Sequence, residues 1–184
     1  MRVVAGLAGR TTLVAPKGLN TRPTSDMAKE NLFNILAPYI KDASVLDLFC
    51  GSGAIAIEAL SRGAKAAILV DSAKTAVLAA KQNLEKTKLT EKAEVLLMPV
   101  QKACKYLSGQ KFDIIFLDPP YETDLITFTL EQIAQHNLLA EEGIIIAETD
   151  VKFSATQNWP PEFVHTDTRL YGRACFLFYK GVKQ

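Results

Sequence analysis

An aspartate, two prolines and a tyrosine follow an apolar segment in "FDIIFLDPPY", residues 112–121. Proline lacks a backbone N–H and fixes its own φ, and Pro119 also restricts the backbone of Asp118. The loop is therefore predicted to be stiff, with carbonyl acceptors beside a carboxylate and the flat ring of Tyr121. We interpret Asp118, Pro119, Pro120 and Tyr121 as a catalytic loop for a planar base with an exocyclic amine, either adenine or guanine.

Such a loop predicts how the chemistry would proceed. The base is flipped into the site, at a cost of about a few kcal/mol, and stacks on Tyr121. Its amine donates to Asp118 and to the Pro119 carbonyl, which orients the nitrogen lone pair towards a methyl donor. A strand followed by a rigid turn would explain the two prolines, but not the aspartate and the tyrosine with them.

A glycine turn follows an earlier strand, in "VLDLFCGSGAIAIEA". Gly51 and Gly53 would let a ligand approach the backbone at a helix N-terminus. The dinucleotide-binding pattern GxGxxG has Ala56 at its third glycine, so the glycines alone are weak evidence. Asp47 is more informative, because a carboxylate there would repel a pyrophosphate and suit the ammonium of S-adenosylmethionine. With Phe49 from the same segment, these residues are predicted to bind that cofactor.

Asp71 ends the next predicted strand, and its carboxylate could accept hydrogen bonds from both ribose hydroxyls. The alternative is that Asp71 caps the helix that follows it. Asp118 is expected at the same sheet edge and is assigned to the cofactor site as well. Cys50 lies inside the glycine turn, but a small buried residue explains it better than a nucleophile.

Apolar strands that alternate with helices predict a parallel sheet covered on both faces, a doubly wound α/β fold. The last two strands have no helix between them and should pair antiparallel at one edge. A first helix is predicted to end before Pro38, with Thr24 or Ser25 as its cap. The seven predicted strands are "SVLDLF", "AAILVD", "AEVLLM", "FDIIFLD", "GIIIAET", "EFVHTDT" and "ACFLFYK".

The 184 residues suit a single domain, and we divide it into a β-hairpin arm over 1–23 and a catalytic core over 24–184. The arm hairpin is predicted from "RVVAG" and "TTLVA". Residues 1–29 carry five cationic side chains against one acidic side chain, which suits phosphate contact by Arg2 and Arg10. The charge alone is equally compatible with a short terminus that is merely solvated. We expect no membrane span, no signal peptide and no metal site, and reduced thiols in the cytoplasm.

These segments together resemble the amino-methyltransferases with a (D/N)PP(Y/F) motif and, within them, the RsmD-type 16S rRNA guanine-N2 methyltransferases. The resemblance runs nearly end to end, through "MRVVAG", "PKGLNTRPTSD", "LFNIL", "VLDLFCGSGAIAIEALSRGA", "FDIIFLDPPY" and the "YG" at Tyr171 and Gly172. "DPPY" is shared by adenine and guanine enzymes, so the preference for guanine comes from "TRPTSD" and the hairpin before it. The family implies a Rossmann-like class I methyltransferase fold.

The resemblance implies methylation of N2 of the guanine at position 966 of 16S rRNA, in an assembling small ribosomal subunit, by a protein expected to be monomeric. Arg22 and Thr24 would lie at the mouth of the site, and Arg22 is predicted to contact RNA. The chain departs from the family after the third strand. Met98, Pro99 and Val100 stand where an Asp or Asn commonly contacts adenine, and Gln101 is a possible polar substitute.

Three other functions are compatible with parts of the sequence. A DNA or RNA adenine-N6 methyltransferase would share "DPPY", although 184 residues leave little room for a DNA-reading domain. A Rossmann nucleotide-binding module or oxidoreductase would explain neither "DPPY" nor Asp47. A non-catalytic RNA-binding protein could use the basic arm and the sheet as a platform.

Overall fold

One sheet positions the candidate site residues of the core that the structure describes. The computed structural model describes residues 1–16, 26–120, 124–151 and 159–182. Its strands are β1 (Ser44–Asp47), β2 (Ala66–Asp71), β3 (Ala93–Leu97), β4 (Phe112–Leu117), β5 (Leu139–Asp150), β6 (Phe163–Tyr171) and β7 (Ala174–Gly181). They form a seven-stranded sheet in the order β3-β2-β1-β4-β5-β7-β6.

The strand directions confirm the predicted doubly wound fold. Strands β1 to β5 pair parallel, and β7 lies antiparallel between β5 and β6. The helices are α1 (Asp26–Ile40), α2 (Ala54–Ser61), α3 (Lys74–Thr87), α4 (Val100–Tyr106) and α5 (Leu125–Gln135), with a 3₁₀ turn at Thr90–Lys92. None of the helices in the described ranges is long and apolar enough to cross a membrane.

Alternating residues of the strands form two apolar cores, one on each face of the sheet. The first face is covered by α1, α2 and α3, and it includes Phe116 of β4 and Ile146 of β5. The second face is covered by α4 and α5, and it includes Leu117 and Ala147 from the same two strands. Both faces are buried, which is why these strands are almost continuously apolar in sequence.

Helix α1 extends beyond its predicted end, because it contains Pro38 and stops only at Ile40. A proline in the last turn removes one backbone hydrogen bond. Ile40 is 3% exposed, so burial of the final turn against the first core offsets that loss. The predicted caps Thr24 and Ser25 lie outside the described residues.

The C-terminal hairpin is longer and its turn tighter than predicted. Strand β6 continues through Tyr171, which pairs with Ala174 of β7. The turn therefore has only two residues, and Gly172 adopts φ 64° there. The predicted strand "EFVHTDT" had ended three residues earlier, at Thr168.

The N-terminal arm folds back on itself as predicted, but the pairing is limited to one antiparallel bridge between Arg2 and Thr12. The reason is that the next backbone donors bond elsewhere. The N–H groups of Val4 and Ala5 donate to the carboxylate of Glu58, at 2.7 and 3.0 Å. The arm is therefore attached to α2 through a side chain rather than extended as a regular hairpin.

Candidate active site

Four carboxylates lie on one face of the sheet, at the carboxyl ends of four adjacent strands. Asp71 ends β2, Asp47 ends β1, Asp118 follows β4, and Glu148 lies near the end of β5. Successive side chains of a strand point to opposite faces of the sheet. By this alternation, all four carboxylates lie on the face covered by α1, α2 and α3. The charges of neighbouring members act on each other, with Asp71 affecting Asp47 and both Asp47 and Glu148 affecting Asp118. The sequence predicted three members of this row and missed Glu148.

The two glycines of the turn after β1 have different structural roles. Gly51 and Gly53 both adopt the left-handed conformation, with φ of 53° and 77°. A Cβ at Gly51 would meet no described atom within 4 Å, so the backbone there is open to a ligand. A Cβ at Gly53 would lie 2.9 Å from Leu69 Cδ2. Gly51 therefore allows close approach of a ligand, whereas Gly53 allows the turn to pack against β2.

Asp71 holds the glycine turn in place. One carboxylate oxygen accepts a 2.9 Å hydrogen bond from the Gly51 N–H, and the other accepts a 2.8 Å bond from the Ala73 N–H. The residue that precedes α3 is Ala73, which makes no side-chain cap. Asp71 is therefore not the N-cap of α3. Each of its oxygens retains a second lone pair, so a role as ribose acceptor is compatible with these bonds.

Asp47 is a buried carboxylate with incomplete hydrogen bonding. The backbone N–H groups of Phe49 and Ala56 donate to it, yet Oδ1 has no hydrogen-bond partner among the described residues. Burial, with a smaller contribution from the charge of Asp71, raises the pKa of Asp47 to about 7. A buried acceptor without a partner is costly. Its position beside Gly51 therefore fits a cationic donor supplied by a ligand.

The loop after β4 presents Asp118 at the same edge. Asp118 is half-buried, Pro119 is buried and Pro120 is exposed. Burial and the charges of Glu148 and Asp47 raise the pKa of Asp118 well above that of a solvated aspartate. Tyr121, the predicted stacking residue, lies outside the described residues.

The other predicted cofactor residues take supporting positions. Phe49 is half-buried and packs against the second core. Cys50 is buried, and burial raises the pKa of its thiol, which makes it unsuited to act as a nucleophile. After β3, Met98 packs against the second core and its N–H donates to the Asp71 carbonyl, while Gln101 is exposed.

The arm is attached to the core by a buried polar cluster that the sequence analysis did not identify. Glu58 of α2 accepts from Val4 and Ala5 and is paired with Arg62 at 2.8 Å and with Lys29 at 3.5 Å. Lys29 also donates to the Arg2 carbonyl. The sequence signal was a charged residue within the apolar helix segment "AIAIEALS".

A second group of bonds joins the arm to the glycine turn. The Asn83 side chain accepts from the Val14 N–H at 2.7 Å and donates to the carbonyls of Val14 and Ser52, both at 2.9 Å. At the far end of α2, the Ala8 N–H donates to Ser61 Oγ. The arm therefore runs along α2 from the glycine turn to the C-terminal end of the helix.

The predicted RNA-contacting residues occupy different parts of the arm. Arg2 is exposed and forms an ion pair with Asp26 at 3.2 Å. Arg10 is exposed at the arm's turn, close to Ala8 and thus to the end of α2 that is remote from Gly51. Arg22 and Thr24 lie outside the described residues. Within the described ranges, no three His, Cys, Asp or Glu side chains form a group that could hold a metal ion.

Comparison with known proteins identifies the chain's relatives. The family model described as conserved hypothetical protein 95 matches residues 1–180. The ribosomal RNA small subunit methyltransferase D of Escherichia coli K12 is 36% identical over 189 residues, which cover 100% of this chain and 91% of that protein. The protein of that name from Haemophilus influenzae is 36% identical, with 86% and 84% covered.

The solved structures agree with the sequence relatives. A structure of the candidate methyltransferase yhhF from Escherichia coli superposes with a TM-score of 0.86 at 30% identity, covering 100% of this chain and 99% of that chain. The Rossmann-like methyltransferase fold and the resemblance found from the motifs are therefore both confirmed. The chain belongs to the conserved hypothetical protein 95 family, together with the small-subunit rRNA methyltransferases of the RsmD type.

Proposed function

We propose that the protein transfers a methyl group from S-adenosylmethionine to the N2 amine of a guanine in 16S rRNA. One observation carries this function: a buried carboxylate oxygen without a partner, Asp47 Oδ1, lies on the same sheet face and edge as Asp118. A cation-binding position and an amine acceptor at one edge suit methyl transfer to nitrogen. An NAD site would instead need a pyrophosphate beside Asp47.

The residues present fit the cofactor. Asp47 would hold its ammonium, Gly51 would admit it close to the backbone, and Asp71 would accept from the ribose hydroxyls. The apolar segment around Met98 would cover the adenine. When bound, S-adenosylmethionine supplies a methyl carbon that the base nitrogen attacks, while the carbon–sulfur bond breaks with its electron pair going to sulfur.

The residues of the loop after β4 would position the base. Asp118 and the Pro119 carbonyl accept from the two N2 hydrogens, which directs the nitrogen lone pair away from them and towards the methyl carbon. Tyr121 stacks on the ring. Asp118 also stabilises the positive charge that develops on N2, and this nitrogen then loses a proton to solvent. Positioning and electrostatics supply the rate, so no strong base is required.

The relatives named as small-subunit rRNA methyltransferases support 16S rRNA as the substrate, and the family resemblance points to position 966. We place the reaction on assembling subunits in the cytoplasm, catalysed by a monomer. The single domain would comprise the arm at 1–23 and the catalytic core at 24–184.

A methyl-transfer assay tests this function. The protein is incubated with S-adenosylmethionine carrying a tritiated methyl group and with unmethylated small subunits, naked 16S rRNA or DNA, and the labelled nucleoside is identified. We expect N2-methylguanosine in 16S rRNA. Asp118→Ala should abolish labelling, whereas Asp124→Ala, which changes an exposed aspartate six residues later, should not. Label found only in DNA, or only as N6-methyladenine, would contradict the proposal.

A further inference from the structure

Glu148 is a buried carboxylate to which the methyl-transfer function assigns no role. It lies on β5 within "GIIIAETD" and is 2% exposed. Its register partner on β7 is Phe176, whose ring lies 6.5 Å from that of Phe116 and 6.0 Å from that of Tyr171. Burial of a carboxylate carries a desolvation cost. The strand register places this one beside the catalytic loop.

The strand register places Glu148 next to Asp118. Strands β4 and β5 are parallel neighbours whose last paired residues are Leu117 and Ala147. One step further along each strand gives Asp118 and Glu148, and both alternate onto the face that holds Phe116 and Ile146. Their proximity is also visible in the effect that the charge of Glu148 has on Asp118. Two carboxylates therefore stand side by side where the base must enter.

Two adjacent acceptors match guanine and oppose adenine. The Watson–Crick edge of guanine carries the N1–H donor next to the N2 amine, so neighbouring hydrogens point in the same direction. Adenine carries an N1 lone pair next to its N6 amine. A carboxylate placed opposite that lone pair would meet repulsion in place of a hydrogen bond.

We propose that Glu148 reads the Watson–Crick edge of the flipped guanine by accepting a hydrogen bond from N1–H, while Asp118 and the Pro119 carbonyl accept from N2. This inference rests on the guanine-N2 function proposed above and adds a specificity-determining residue to it. "DPPY" leaves adenine and guanine open, and Glu148 supplies the discrimination from within the core of the enzyme. Binding selectivity of this kind arises because a site built for a donor rejects an analogue that lacks it.

The test compares guanine with 2,6-diaminopurine at the methylated position. Diaminopurine keeps the 2-amine but has a lone pair at N1 and an amine in place of O6, so the wild-type comparison is combined with Glu148 variants that change only the protein side of the N1 contact. A 16S rRNA with either base is made by ligation and assembled into small subunits. We expect the wild type to methylate guanine with a kcat/KM at least about tenfold higher than diaminopurine. Equal rates on the two substrates would overturn the inference without any variant.

Glu148→Gln then assigns the discrimination to this residue. The glutamine amide has the same shape and can accept from guanine or donate to the N1 lone pair of diaminopurine. The preference for guanine should therefore fall by about tenfold or more, whereas Glu148→Asp, which keeps a carboxylate, should retain it. Glu141→Gln, at an exposed position near the other end of β5, is the matched control. Binding of the two RNAs to wild type and variants, measured without cofactor, should show the same change in preference.

The outcomes separate the two proposals. A wild type that does not methylate guanine N2 contradicts the proposed function. A wild type that methylates guanine N2 and prefers it, combined with a Glu148→Gln variant that is folded by thermal melting and keeps the same preference, contradicts only the role of Glu148. If Glu148→Gln does not fold, binding of the two RNAs to the wild type decides the question, and equal affinity for the guanine and diaminopurine RNAs overturns the inference.

Discussion

Single charged residues within apolar segments carry the most functional information in this protein. Asp47 ends an apolar strand, Glu58 interrupts an apolar helix, and Glu148 lies in the most buried part of β5. A buried charge costs free energy unless it is paired or hydrogen-bonded. Glu58 is paired within the protein, which explains its burial. Asp47 retains an oxygen without a described partner, and the proposed function assigns that oxygen to the ammonium of the cofactor.

Asp47 predicts how cofactor binding should depend on pH. Burial raises its pKa in the folded protein to about 7, against 3.8 for a solvated aspartate. Below pH 7 the folded protein holds a proton on Asp47, and binding an ammonium there must release it. Affinity for S-adenosylhomocysteine should therefore rise between pH 6 and 7.5, with proton release on binding. Calorimetry in two buffers of different ionisation enthalpy measures both quantities.

The Asp47→Asn variant tests that assignment. An amide cannot form an ion pair with the ammonium, so affinity at pH 7.5 should fall by at least about tenfold, and the proton release should disappear.

The stability of the ligand-free protein depends on pH in the opposite direction from cofactor affinity, because it falls as the pH rises. Because the folded-state pKa is raised, the wild type loses stability as pH rises from about 4 to 7, and Asp47→Asn should lose less. Asp113→Asn, which alters a carboxylate at the other end of the sheet, should behave like the wild type.

At the scale of elements, apolar runs and glycine or proline positions predicted the order and type of the strands and helices. The prediction succeeded best for the central strands β1, β4, β5 and β7, which are largely buried on both faces and therefore almost continuously apolar. It was less accurate where tertiary contacts override local rules. Helix α1 continues through Pro38 because Ile40 is buried, and the arm pairs through one bridge because Glu58 takes two of its backbone donors.

The attachment of the arm to α2 should depend far more on Glu58 than on Lys29. Both side chains are buried, at 0% and 1% exposure. Glu58→Ala leaves the Lys29 ammonium without its counter-ion and should cost about 3–5 kcal/mol of unfolding free energy. Lys29→Met should cost less, because Glu58 keeps Arg62 and two backbone donors. Denaturant unfolding measures the difference.

Hydrogen exchange provides an independent measure of that attachment. The amides of Val4 and Ala5 should lose protection in Glu58→Ala and keep it in Lys29→Met. Asp167→Asn removes an exposed ion pair with Arg169 and serves as a control that should cost no more than about 1 kcal/mol. This account would be contradicted if Glu58→Ala and Lys29→Met lowered the unfolding free energy equally. It would also be contradicted if the amides of Val4 and Ala5 stayed protected from exchange in Glu58→Ala.

At the scale of the whole molecule, sheet topology assembles the site from distant parts of the chain. Asp47 and Glu148 are 101 positions apart in sequence, yet only β4 separates β1 from β5. The parallel order made it possible to predict that Asp47, Asp71 and Asp118 share an edge. Glu148 was missed because the predicted strand "GIIIAET" did not specify its register against β4. Recognition of its role required the pairing of Leu117 with Ala147.

An overall charge of only +1 provides little general attraction to RNA, so the affinity must come from local contacts. We expect Arg22→Ala to weaken both the binding and the methylation of small subunits. The plot of log affinity against log salt should also become less steep, by the amount that corresponds to the loss of about one phosphate contact. Arg2→Ala should have a smaller effect because Asp26 already neutralises part of its charge. Arg10→Ala should lower the slope if RNA extends along α2 to the turn of the arm.

Lys105→Ala is the matched control for these arginines, since it removes an exposed cation from the last turn of α4, away from the carboxyl edge of the sheet. Filter binding across a salt series gives the slopes, and single-turnover methylation gives the rates. Arg22→Ala with an unchanged slope and rate would exclude an RNA contact by that residue. If Arg22→Ala weakens binding only as much as Lys105→Ala does, the effect is one of net charge. A specific phosphate contact must change the salt slope more than a remote cation does.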